Sequence, residues 1–139
     1  MTPMRKRALA AQACIDRFRG RAYEPGKADC VQLAKHCLHH LGRRVGQGKL
    51  PAYSTEIGGL KALKRLGFNS LVEALDGVGL QRIAPAMTLP GDLMALPTEH
   101  PLGALAVAVG NGRVIGFLEG EKGAVIMQPH AFVAAWRTL

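Results

Sequence analysis

The hydrophobic pattern changes period at about residue 80, and that change decides what the chain can fold into. Up to residue 78, apolar residues recur three and four apart; from residue 80 they fall into short runs bounded by turn residues. The first spacing lines up one stripe of a helix, and the second suits strands. Helices first and strands afterwards give an α+β chain, not alternating βαβ units. With 139 residues the chain suits one domain, 1–139, with a helical part over 1–78 and an antiparallel β-meander of about five strands over 80–139.

The spacing predicts a helix over 4–19, with Ala8, Ala11, Ile15 and Phe18 inward, ended by Gly20. A second runs over 30–41. Asp29 is its cap, Gln32 the partner three residues on, and its stripe holds Cys30, Leu33 or Ala34, Cys37 and Leu41. Gly46, Gly48 and Pro51 make 43–55 a basic surface loop. A short helix over 56–66 turns Ile57, Leu60, Leu63 and Leu66 inward, and Ser70-Leu71-Val72-Glu73 opens another to about Asp76. Strands are expected over 81–86, 92–96, 105–109, 113–118 and 124–127, with Asn111-Gly112 as a hairpin turn. A helical turn over 131–135 closes the chain before Trp136.

Charge is lopsided. The net charge is +8, and all of that excess lies in residues 1–50, where Arg and Lys face only Asp16, Glu24 and Asp29. Such a surface favours an acidic partner (a protein face, a phosphate polymer or an anionic wall component), or is a solvated face that aids solubility. No interleaved aromatics suit stacked bases. No apolar run approaches the roughly 20 residues that cross a bilayer. Arg5-Lys6-Arg7 precede an apolar stretch that Gln12 breaks and Asp16 and Arg17 end, too short for a secretion signal, so synthesis in the cytoplasm is expected. Three cysteines without CxxC spacing speak against a disulfide framework or zinc ribbon.

Cys30 opens its helix just after a Gly-containing loop, where unpaired N–H groups favour a thiolate. A buried, inert residue is the commoner fate of a lone cysteine on an apolar helix stripe. Cys37, two turns on, is ~10 Å away and too far for a disulfide. His36 and His40 are spaced i, i+4 but lack a further ligand set, so they are read as the polar flank of the helix. Neither a metal nor a cofactor is expected.

Four stretches, in this order, carry a resemblance. Residues 18–30 give an aromatic–Gly–Asp-Cys lead-in to a helix; 60–67 with 71–75 give a small helical insert; Pro90-Gly91-Asp92-Leu93 gives a Gly-Asp turn before a strand; 105–117 give a hairpin around Gly110-Asn111-Gly112-Arg113. The closing Ala135-Trp136-Arg137 also fits. The set resembles the NlpC-type branch of papain-like cysteine peptidases, in particular its short phage- and prophage-encoded, tail-associated members. The resemblance implies Cys30 as nucleophile, Tyr23 as a neighbour of the site, and a histidine where this chain has Ala104. It implies a third polar residue where this chain has Gly116. A thiol without a base is weakly nucleophilic at neutral pH. His100, four residues upstream in a loop between Pro97 and Pro101, is the candidate substitute; His130 follows Pro129 near the chain end.

Three functions compete. The leading one is a virion component: a part of a phage or prophage tail tip that keeps the peptidase fold without the triad and docks on hub or tip proteins, with peptidoglycan as a further partner. The second is an active cysteine peptidase or amidase cleaving peptidoglycan stem peptides during DNA entry. The third, a nucleic-acid-binding module, rests on the basic residues alone.

Overall fold

The computed structural model describes residues 1–44 and 51–139. The chain order is α1 (Pro3–Phe18), α2 (Cys30–His40), α3 (Glu56–Arg65), α4 (Leu71–Gly77), β1 (Gln81–Ile83), β2 (Leu93–Leu96), β3 (Ala104–Gly110), β4 (Arg113–Gly116), β5 (Val125–Met127) and β6 (Ala134–Arg137). The α+β class is as the periodicity implies. Each helix starts on a side-chain cap: Thr2, Asp29, Thr55 and Ser70 accept from the N–H groups of Arg5, Gln32, Gly58 and Glu73.

The strands form an open antiparallel sheet of six, ordered β1-β6-β2-β3-β4-β5. The sixth strand corrects the expectation of a helical turn over 131–135 and of about five strands. Residues 134–136 are buried between β1 and β2, and Ala135 and Trp136 pair with both. That slot is created by distant segments, which a four-residue pattern cannot reveal. Pro85 ends β1 early in a 3₁₀ turn over Pro85–Met87. Asn111 and Gly112, at φ 55 and 71, make the expected hairpin between β3 and β4.

Alternation along the strands divides the sheet faces. Leu93, Ala95, Leu105, Val107, Ile115 and Trp136 share the main core with Phe18, Leu33 and Cys37 of α1 and α2. The opposite face carries a second, smaller cluster of Met94, Leu96, Ala106, Ala108, Val114 and Ala135. Two helix faces are rotated from those expected. In α1 the buried set is Arg7, Ala10, Ala11, Cys14 and Phe18, while Ala8 is exposed. In α3 it is Gly59, Ala62 and Leu63, while Ile57 and Leu66 are exposed. The Tyr53 ring fills the place over Gly59, where an added Cβ would stand 3.2 Å from it. The basic loop expected over 43–55 lies partly outside the described residues, at 45–50.

Arg7 turns inward because Asp92 waits there. The Asp92 carboxylate, fully buried, accepts from Arg7 Nη1 at 2.8 Å, Arg137 Nη1 at 2.9 Å, and the N–H groups of Leu89 at 2.9 Å and Thr138 at 3.0 Å. Arg7 also donates to the carbonyls of Pro90 and Leu139. This knot ties the start of α1 and the Gly-Asp turn to the last strand.

Candidate functional site

Asp29 builds the approach to α2. One carboxylate oxygen caps Gln32 N–H at 2.9 Å; the other accepts from Gly26 N–H at 2.8 Å and from the Tyr53 hydroxyl at 2.6 Å. Gly26, at φ +84, cannot be replaced cheaply, since a Cβ there would stand 2.0 Å from the Tyr53 carbonyl oxygen. The turn is therefore pinned on both sides, and Cys30 follows as the first residue of α2.

Cys30 opens on a cleft of about 610 Å³. Tyr23, Glu56, His100, Ala104 and Phe117 line the same cleft. His100 and Tyr23, both candidates on sequence grounds, are thus brought to the cleft that holds Cys30. They are joined through Glu56, which the sequence pattern marks only as the start of a helix. Tyr23 Oη donates to Glu56 Oε1 at 2.6 Å, and His100 Nε2 bonds Glu56 Oε2 at 2.7 Å. Those two contacts, Tyr23 first, hold the Glu56 carboxyl below its ordinary range. Burial and then the Glu56 bond raise the Tyr23 phenol.

Both nitrogens of His100 are engaged. Nδ1 accepts from the Leu102 N–H at 3.3 Å, so the proton of the neutral ring sits on Nε2 and points at Glu56. No lone pair is left for a thiol in this arrangement. Among the described residues, which include all five histidines, no hydrogen bond joins Cys30 to an imidazole. His130 is exposed and does not line the cleft.

The Cys30 thiol is not activated. Burial pushes it up to about 11, and the Asp29 charge acts in the same direction. Backbone hydrogen bonds from Leu105, Cys30 and Val31 pull it down but do not prevail. The start of a helix favours a thiolate, and here desolvation outweighs it. Cys14 and Cys37 are buried donors to the carbonyls of Leu33 and Gly91.

The two positions where the resemblance implies triad partners fall on neighbouring strands, two residues apart in register, and only Ala104 lines the cleft. Ala104 lines the cleft one residue from Leu105, whose backbone bonds the thiol. Gly116 pairs with Ala106 across the β3–β4 ladder, and a Cβ on it would meet the Ala106 Cβ at 3.3 Å. On the far flank of α2, the rings of His36 and His40 stand 4.5 Å apart, and no metal-holding cluster occurs among the described residues.

Residues 3–138 match the model of a family described as Domain of unknown function (DUF6950). The match covers nearly the whole chain, and the chain belongs to this family. No curated protein matches it.

Proposed function

We propose that this DUF6950 domain is a catalytically silent relative of the NlpC-type papain-like peptidases, used as a structural component of a phage or prophage tail tip. The observation that carries the silent part is the geometry beside the thiol: the one imidazole in the Cys30 cleft is bound on both nitrogens, and burial raises rather than lowers the thiol. Without a base, nothing takes the thiol proton or returns one to a leaving amine. The order of elements supports the scaffold: a thiol at the start of a helix packed on an antiparallel sheet, with Ala104 lining the same cleft.

The tail assignment rests on the resemblance to tail-associated members and on the basic residues of 1–50, which suit docking to acidic neighbouring proteins. In that role the chain is made in the bacterial cytoplasm and ends in the virion. Phage particles purified from the source strain should contain the chain in a fixed ratio to a tail hub protein. Its absence from intact particles, or a free monomer with robust peptidase activity, would overturn the reading.

One observation favours a second reading, an active cysteine peptidase or amidase acting on peptidoglycan stem peptides: Cys30, His100 and Glu56 open on one cleft. Release of His100 from Glu56 would then have to precede catalysis. Iodoacetamide labelling of Cys30 far faster than of Cys14 and Cys37, and lost in His100→Ala, would select this alternative.

A further inference from the structure

The cleft opposes the charge of the molecule that carries it. The protein is +8 overall, yet among the described residues no Lys or Arg lines the cleft. Asp29, Glu56, Glu99, Glu119 and Glu121 do. Asp29 and Glu56 are engaged internally. Glu99, Glu119 and Glu121 are exposed and make no ion pair among the described residues, whereas Asp76 and Glu24 each have one and Asp92 has two. Lys122 stands between Glu121 and Gly123 in the chain but does not line the cleft; with a Debye length of about 8 Å at physiological salt, the carboxylates lining a walled cleft act most strongly on what enters it.

The walls fit a long cationic side chain. Tyr23, 45 % exposed, stands edge-on to Phe117 with ring centroids 6.0 Å apart, giving an aromatic surface for an alkyl stem and its terminal cation. The volume of about 610 Å³ is that of a ligand site. Gly120, on the rim at φ +86, has open space where a Cβ would be, leaving its backbone accessible.

We propose that the cleft binds an extended Lys- or Arg-bearing peptide segment of another protein, gripped by Glu99, Glu119 and Glu121 with its cationic side chain along Tyr23 and Phe117. This rests on the silent reading in one respect: the occupant is held, not cleaved. The ligand is a basic segment, the opposite of what the net charge of the chain alone would attract.

Fluorescence anisotropy with a labelled octapeptide of alternating Ala and Lys tests it, beside the Ala/Glu counterpart. The Lys peptide should bind, at least tenfold more weakly to the triple variant Glu99→Gln, Glu119→Gln, Glu121→Gln, and the Glu peptide should not bind. Tyr23→Ala should also weaken binding, while Glu73→Gln on α4, away from the cleft, should leave it unchanged. No binding of the Lys peptide, equal binding of both peptides, an unaffected triple variant, an unaffected Tyr23→Ala, or equal weakening by Glu73→Gln would each overturn the proposal. Mass spectrometry of the recovered peptide separates the two claims. Cleavage of a bound peptide would refute the silent reading and leave the binding site standing; no binding with an inert thiol would do the reverse.

Discussion

Asp92→Ala is expected to destabilise the fold by about 3–5 kcal/mol, the cost of leaving a buried charge without its partner. Arg7 is 2 % exposed and has no route to water. Its guanidinium would keep only the carbonyls of Pro90 and Leu139. The N–H groups of Leu89 and Thr138 lose an acceptor in the same step. Thermal unfolding should shift by about 10–20 °C for a domain of this size. The pair Arg7→Met with Asp92→Leu should recover much of the loss, because it removes both charges; Arg137, at 22 % side-chain exposure, can turn to solvent. A negligible shift in Asp92→Ala would mean that the knot does not hold α1 to the last strand.

Ala104→His is expected to raise the alkylation rate of Cys30 at pH 7 about fiftyfold. With the thiol at about 11, only ~10⁻⁴ of it is thiolate at neutral pH, against ~3 % for an ordinary cysteine. Ala104 lines the cleft at the start of β3 but packs with the opposite sheet face; an imidazole there that turns into the cleft stabilises the thiolate as an ion pair, raising its population by about three orders of magnitude. The intrinsic nucleophilicity of a lower-pKa thiolate is about twentyfold less, which leaves roughly fiftyfold net. Gly116 would still lack a group to orient the new ring, and adding one there requires Ala106 to yield. An unchanged rate in a folded Ala104→His variant would argue against the papain-type placement of these positions.

Much of the fold is legible in the residues themselves. Caps at Asp29 and Ser70, stops at Gly20 and Gly42, and the Asn111-Gly112 turn act through local geometry, and each stands where the sequence puts it. What the sequence hides is tertiary. Arg7 reads as part of a solvated basic face until Asp92, 85 positions away, is found against it. The rotation of α3 depends on Tyr53 packing over Gly59, and β6 depends on a gap between β1 and β2. The cleft follows the same rule. Cys30 carries a local signal, a helix start after a turn, but the Glu56–His100 contact joins α3 to the β2–β3 loop across 44 positions and has no periodic signature. The state of the thiol is also beyond sequence, since the N–H groups of a helix start are visible there and the burial that outweighs them is not.

The pH dependence of Cys30 alkylation by iodoacetamide, followed from pH 5 to 11 in the wild-type chain and in His100→Ala, bears most directly on the silent thiol. The rate should climb about tenfold per pH unit across the neutral range and bend only near 11, with the same curve in both proteins. A plateau of high reactivity between pH 5 and 8 that disappears in His100→Ala would reveal a thiolate–imidazolium pair, and the domain would then be an enzyme.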